Sequence, residues 1–273
     1  MRLIVTKNNL GAWAAHYIKD KMNNAHKETF VLGLPTGGTV VDMYANLKQL
    51  HKEGELSFKN AVTFNMDEYV GLPKEHPQSY HYYMHSNLFD EVDIKPENVH
   101  ILNGETADPA AECASYEDAI TKAGGIDLFL GGVGRNGHIA FNEPQSDFNS
   151  RTRLVDLTPS TIEANARFFD NDLNLVPKQA LTVGIGTVTN AKEILFLASG
   201  KEKAEAVARL AQDGITPQWP VTVLKQHPQA TLLVDVEAAS LLDGTAREEL
   251  DKQMAQFPEA KEWILNIFTT CKK

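Results

Sequence analysis

The stretch Phe30-Val31-Leu32-Gly33-Leu34-Pro35-Thr36-Gly37-Gly38-Thr39 opens as an uninterrupted apolar run and closes on a glycine pair. Apolar residues at helical spacing follow over 40–50. A continuous apolar run is the pattern of a strand buried on both faces. A strand that turns through glycines into a helix is half of a parallel crossover unit. The same succession extends in both directions. Upstream, Leu3-Ile4-Val5 reads as a strand, followed by a helix carrying Trp13, Tyr17 and Ile18 on one face. Downstream, Ala61-Val62-Thr63-Phe64, Ile126-Asp127-Leu128-Phe129-Leu130 and Ala180-Leu181-Thr182-Val183 read as strands. So do Glu193-Ile194-Leu195-Phe196-Leu197 and Thr231-Leu232-Leu233-Val234, and helical stretches at 80–89 and 110–122 separate the earlier ones. The alternation predicts an α/β fold with a single open, mostly parallel, Rossmann-like sheet covered by helices on both faces. No repeat, low-complexity segment or Pro/Gly/Ser linker divides the chain, so residues 1–273 are expected to form one domain. The final stretch, 247–268, is expected to be helical and interrupted at Pro258.

Charge narrows the classes of partner. Among 273 residues, 26 Lys and Arg stand against 36 Asp and Glu, a formal net charge of −10. Such a balance disfavours nucleic acid and anionic membrane surfaces. It does not exclude a small anion met by a few placed cations. Apolar residues at 42% and charged residues at 23% exclude wholesale disorder. Cys113 and Cys271 are far apart and read as two free thiols. The first apolar run is too short for a signal peptide, and no stretch reaches the ~20 apolar residues of a membrane span. A soluble, cytoplasmic protein is expected.

Ligands of open α/β sheets bind beyond the carboxyl ends of the strands, which directs attention to three loops. In the first, Thr36, Gly37, Gly38 and Thr39 offer close backbone approach, free N–H groups and hydroxyls to a phosphate. A plain Gly-rich turn with Thr39 as a helix cap fits the same residues. In the second, Asn65-Met66-Asp67-Glu68-Tyr69, Asp67 is placed either as a general base or as a turn cap. Glu68 reads as a solvated or salt-bridged neighbour. The third loop, Gly131 onward to Pro144, is the densest in chemistry. It holds a formal G-x-G-x-x-G from Gly132 to Gly137 with Asp156 about 20 residues on, but Pro144 leaves little room for the crossover helix of a dinucleotide site. His138 with Glu143 forms a candidate proton-transfer pair that Asn136 can hold through its amide. His76, His81 and His85 have spacings a helix can place on one face, but packing or surface roles suit them better than a metal site.

Taken together these segments resemble the glucosamine-6-phosphate deaminases. The resemblance rests on Leu32-Gly33-Leu34-Pro35-Thr36-Gly37-Gly38-Thr39, on Thr63-Phe64-Asn65-Met66-Asp67-Glu68-Tyr69-Val70-Gly71-Leu72, and on Gly137-His138-Ile139-Ala140-Phe141-Asn142-Glu143-Pro144. It also includes Ser150-Arg151-Thr152-Arg153, Ala166-Arg167-Phe168-Phe169-Asp170, Ala180-Leu181-Thr182-Val183-Gly184-Ile185-Gly186-Thr187 and Gln226-His227-Pro228. It runs in order to about residue 235 and lapses in the tail at about 245–273. It implies conversion of glucosamine 6-phosphate and water to fructose 6-phosphate and ammonia in amino-sugar catabolism, without metal or redox cofactor. His138 would assist ring opening with Glu143 and Asn136, and Asp67 would move a proton between C2 and C1. The phosphate would sit on residues 36–39 with Arg167 and Lys203, which on their own read as solvated helix residues. The partner is then a small sugar phosphate, and a homo-oligomer is allowed.

Two departures from the family pattern stand out. Asn136 occupies a position where many members carry Asp, so it can orient His138 or Glu143 but cannot carry charge. Some members also have a regulatory site for N-acetylglucosamine 6-phosphate. Here Ser146 and Arg153 match it, but Val155 and Asp156 stand in place of Lys and Thr, and Asp147 in place of Ser. Extra carboxylates repel a phosphate, so weak or absent activation is expected. The rival readings are a 6-phosphogluconolactonase, a sugar-phosphate sensor without catalysis, and a dinucleotide oxidoreductase.

Overall fold

The computed structural model describes residues 1–212 and 214–267. Its strands are β1 (Arg2–Thr6), β2 (Phe30–Leu34), β3 (Ala61–Asn65), β4 (Asp67–Tyr69), β5 (Val99–His100), β6 (Leu128–Gly132), β7 (Arg153–Asp156), β8 (Gln179–Thr182), β9 (Glu193–Ala198), β10 (Ala230–Asp235) and β11 (Glu262–Asn266). The helices that matter here are α1 (Leu10–Asn23), α2 (Val41–Lys52), α3 (Tyr80–Asn87), α4 (Pro109–Lys122), α5 (Pro159–Asn165), α6 (Ile185–Thr189), α7 (Ala204–Gln212) and α8 (Gly244–Gln256).

Eight strands form one sheet in the order β11-β1-β10-β9-β6-β2-β3-β5, parallel throughout except for β11 against β1. The apolar strands were predicted to be buried on both faces, and they are. Leu128, Leu130, Leu195 and Leu197 pack with Ala14 and Ile18 of α1 and Met43, Tyr44 and Leu47 of α2. The alternate residues Phe129, Ile194 and Phe196 pack on the other face with Tyr116 of α4 and Val207 of α7. This alternation follows from the two-residue period of a strand. No helix among the described residues is long and apolar enough to cross a membrane.

Two local expectations need correction. The strand expected near 180–183 does not join the main sheet. As β8 it sits at the centre of a three-stranded antiparallel sheet, β4-β8-β7. An apolar run reports burial, and burial against a second layer satisfies it as well as burial in a parallel sheet. The helix expected over 247–268 ends with α8, and Phe257-Pro258 breaks it. The chain then returns as β11, with Trp263 and Leu265 buried between exposed neighbours. That is a strand's period, which a window spanning the proline conceals. Phe268 and Cys271 lie outside the described residues, and Cys113 is a buried free thiol.

Close packing of α1 on α2 sets the floor beside the first loop. A Cβ on Gly11 would lie 2.7 Å from both the Asp42 carbonyl carbon and the Met43 nitrogen, backbone atoms that cannot rotate away. Gly11→Ala should therefore destabilise the chain by about 1–3 kcal/mol. The measurement is a lowered urea midpoint with an unchanged denaturant slope, and a midpoint equal to that of the wild type would contradict the packing.

Candidate active site

The loops after β2, β3 and β6 open into one cleft of about 1170 Å³. Thr36, Gly37, Gly38, Thr39, Asp67, His138, Arg167 and Lys203 all line it. Asn136 and Glu143 stand behind His138, while Ser146 and Arg153 lie away from the cleft lining.

Residues 36–39 leave β2 in a conformation that demands glycine. Gly37 lies at φ 110°, and nothing approaches within 4 Å of a Cβ built on it or on Gly38. The turn Gly38–Val40 begins without a side-chain cap, and α2 follows with none either. Uncapped N–H groups at a helix start suit an anion. Arg167 and Lys203 add positive charge to the same cleft. Lys203 is held below its usual range by burial, opposed by Glu202 and reinforced by the nearby Arg135 and Arg167. Arg135 itself is engaged by Glu202.

Asp67 begins β4 just after β3 ends, so it is held between β3 of the main sheet, which precedes it in the chain, and β8, which pairs with β4. It is 6% exposed, and its Oδ1 has no hydrogen-bond partner among the described residues. Burial, followed by the charge of Glu68, raises its pKa to about 8. A carboxyl with that value can both take and return a proton near neutrality.

The third loop supports an imidazole. Gly134 approaches the His138 ring so closely that a Cβ there would lie 2.4 Å from it, and Gly137 turns at φ 76° beneath Trp219. The glycines of 132–137 therefore make room for His138 and open no helix, which leaves the dinucleotide fingerprint without its structural context. The Nδ1 of His138 lies 3.6 Å from Glu143 Oε2. The Asn136 amide donates to Glu143 Oε2 at 2.7 Å, and its Oδ1 accepts from the His138 backbone N–H at 3.3 Å. Thr161, on α5, donates to Glu143 Oε1 at 2.6 Å. Burial alone would raise the Glu143 carboxyl, but its hydrogen-bond partners and the adjacent imidazole bring it to about 2. The cleft thus contains one carboxyl poised near neutrality, with one of lowered pKa behind the imidazole. Opposed environments of this kind separate the roles of acid–base groups.

Two groups were not read from the sequence. Thr161 has no spacing relation to Glu143 that would announce it. Glu68, expected to be solvated or salt-bridged, is instead 2% exposed, and its oxygens accept backbone N–H bonds from Tyr69, Tyr80 and His81. Its acidity suggested water, whereas helix-start N–H groups supply its solvation. The three histidines do not converge: His76 stacks on Phe169, while His81 and His85 stack on each other. No cluster of three or more His, Cys, Asp or Glu able to hold a metal occurs among the described residues. At the expected regulatory position, Arg153 donates to the buried Asn142 at 2.7 Å and Asp156 accepts from Gln179.

Fold and cleft together define an α/β protein in which a buried carboxyl, an imidazole–carboxylate pair and a glycine-rich loop face one cleft. Over residues 5–233 the chain matches the family model described as glucosamine-6-phosphate isomerases/6-phosphogluconolactonase, and it belongs to that family. It is 53% identical over 251 residues to a glucosamine-6-phosphate deaminase of Parabacteroides distasonis, covering 90% of this chain and 93% of that one. A solved structure described as a monomeric glucosamine-6-phosphate deaminase superposes with a TM-score of 0.84 at 44% identity, covering 88% of this chain and all of the other. The 6-phosphogluconolactonase of Trypanosoma cruzi shares the fold, with a TM-score of 0.71 at 20% identity over 89% of this chain and 97% of its own.

The burial of Asp67 has a consequence for stability. Its folded pKa is raised, so the folded state loses stability as pH climbs from about 4, where the unfolded carboxyl ionises, to about 8. Asp67→Asn should raise stability at pH 8 by about 1–3 kcal/mol. The gain should shrink toward pH 4, as followed by urea unfolding at both values. A gain independent of pH would contradict the raised pKa.

Proposed function

We propose that the protein converts glucosamine 6-phosphate and water to fructose 6-phosphate and ammonia. The observation that carries this reading is Asp67, a buried carboxyl poised near neutrality on the same cleft as the His138 imidazole. Residues 36–39 with Arg167 and Lys203 hold the phosphate. His138 takes the proton of the anomeric hydroxyl and delivers one to the ring oxygen, which opens the pyranose. Glu143 stabilises the imidazolium formed in that step, and Asn136 orients the pair without adding charge. Asp67 then removes the proton from C2 and returns it to C1 through an enol-type intermediate, leaving an imine at C2. Water hydrolyses the imine, and ammonia leaves. Every step is proton transfer or hydrolysis, so these residues suffice without a redox group.

A lactonase of the same fold hydrolyses an ester and needs no base for a carbon-bound proton. The raised pKa of Asp67 suits the deaminase. As a hydrolase of amino-sugar catabolism the protein would act in N-acetylglucosamine breakdown in the cytoplasm, with residues 1–273 as one domain.

A coupled assay for fructose 6-phosphate and ammonia should detect turnover of glucosamine 6-phosphate. Asp67→Asn should lower kcat by about 10²–10⁴ while KM changes little. Turnover of the lactone alone, or full activity of the Asn variant, would favour the rival reading. Regulation is proposed to be weak or absent, because Arg153 is engaged by Asn142 and faces Asp147. Substrate saturation should then be unchanged by N-acetylglucosamine 6-phosphate, and a left shift on adding it would contradict this.

A further inference from the structure

The proposed reaction leaves unused the buried carboxylate beside its base. Glu68 adjoins Asp67 on β4, and no ion pair to it occurs among the described residues. Its Oε1 accepts from the N–H groups of Tyr69 at 2.8 Å and Tyr80 at 3.0 Å, and its Oε2 accepts from that of His81 at 2.8 Å. Tyr80 and His81 are the first two residues of α3. A negative charge at a helix start is favoured by the helix dipole and by the free N–H groups there. This contact ties β4 to the start of α3. The helix carries Tyr80, whose ring packs 4.8 Å from that of Tyr69 and 6.4 Å from that of Phe141 in the cleft wall. It also carries Tyr83, whose hydroxyl donates to the Gly37 carbonyl at 2.9 Å. One carboxylate therefore links the strand of Asp67 to the aromatic wall and to the anion loop.

We propose that Glu68 is a positioning residue for the proton transfer: its fixed negative charge, one residue away, strengthens Asp67 as a base, and its clamp on α3 aligns the cleft wall and the Gly37 loop with Asp67. The inference rests on the deaminase reading of the cleft. Two adjacent buried carboxyls do not ionise alike, and the better solvated one ionises first. Burial raises Glu68 on balance, although its three N–H donors work against that rise and favour its charged form. Asp67 has an unpartnered Oδ1, so it bears the cost of the second charge.

The other groups around Asp67 do not supply that charge. Tyr44 of α2, Tyr80 of α3, Tyr116 of α4 and Tyr69 of its own strand are all raised by burial and stay neutral. His138, Arg167, Lys203 and the carboxylates of Asp42, Glu202 and Asp235 also line the cleft. The charge that acts on Asp67 is that of Glu68. On the far side of Glu68, His81 lies near Lys74, Glu75 and His85 and is kept below its usual range, chiefly by burial.

Glu68→Gln preserves size and removes the charge. The acid limb of its kcat/KM profile should move down by about one pH unit. Its plateau kcat should fall, because a weaker base transfers the proton more slowly. Glu68→Asp keeps the charge but shortens the clamp, so its acid limb should stay in place while KM rises. A limb unmoved by Gln, or moved equally by both variants, overturns the inference. Carboxyl carbon NMR of the wild-type protein, assigned with Asp67→Asn, gives a readout that needs neither turnover nor a folded Gln variant. Glu68 should ionise at lower pH than Asp67, and the reverse order overturns the inference. Absence of turnover by the wild type would instead count against the deaminase reading.

Discussion

A carboxyl group buried in the wall of the cleft beside a second buried carboxyl is the constraint around which this structure is arranged. Asp67 lies among the buried Tyr44 of α2 and Tyr116 of α4 and the partly buried Tyr80 of α3, and stands next to Glu68. Burial leaves the group little of the water that would let it ionise near pH 4. The chain sustains this unfavourable placement because the large sheet fixes β3, which leads into Asp67, and a second sheet fixes β4, which carries it. β3 is paired on both sides, and β4 is pinned by β8. A group destabilised in this way gains basicity at the expense of fold stability, a common trade at active sites.

The second half of the cleft solves the opposite problem. Glu143 is also partly buried, yet Asn136, Thr161 and the His138 ring surround it with donors or charge, and it remains ionised. One carboxyl is starved of hydrogen bonds and the other supplied with them. Both come from segments that follow β3 and β6, the two strands that flank β2 and its glycine-rich loop. A parallel sheet gathers such loops at one edge, so residues distant in sequence converge without a dedicated scaffold.

Much of this was legible in the chain. The apolar runs at 30–34, 126–130 and 193–197 announced strands buried on both faces. The glycines after them announced places where backbone must turn or approach closely. His138 and Glu143 were suspect because they lie within a few residues of one such turn. The errors have a common origin. The strand β8 and the helix-like pattern over 247–268 were judged from local apolar content, which reports burial but not the layer that provides it. Glu68 was judged from its charge, although N–H groups at the start of α3 replace the water it would otherwise need.

The sequence by itself determined the class of fold, the loops that bear chemistry and the residue types within them, because these depend on local period and on the chemistry of single side chains. Only the tertiary structure decided that Asp67 and Glu143 lie in opposite environments, that Thr161 supports the imidazole pair and that Glu68 clamps a helix. Acidity depends on how much solvent is excluded and on which donors replace it. Those are properties of surroundings assembled from segments far apart in the chain, and no stretch of sequence contains them.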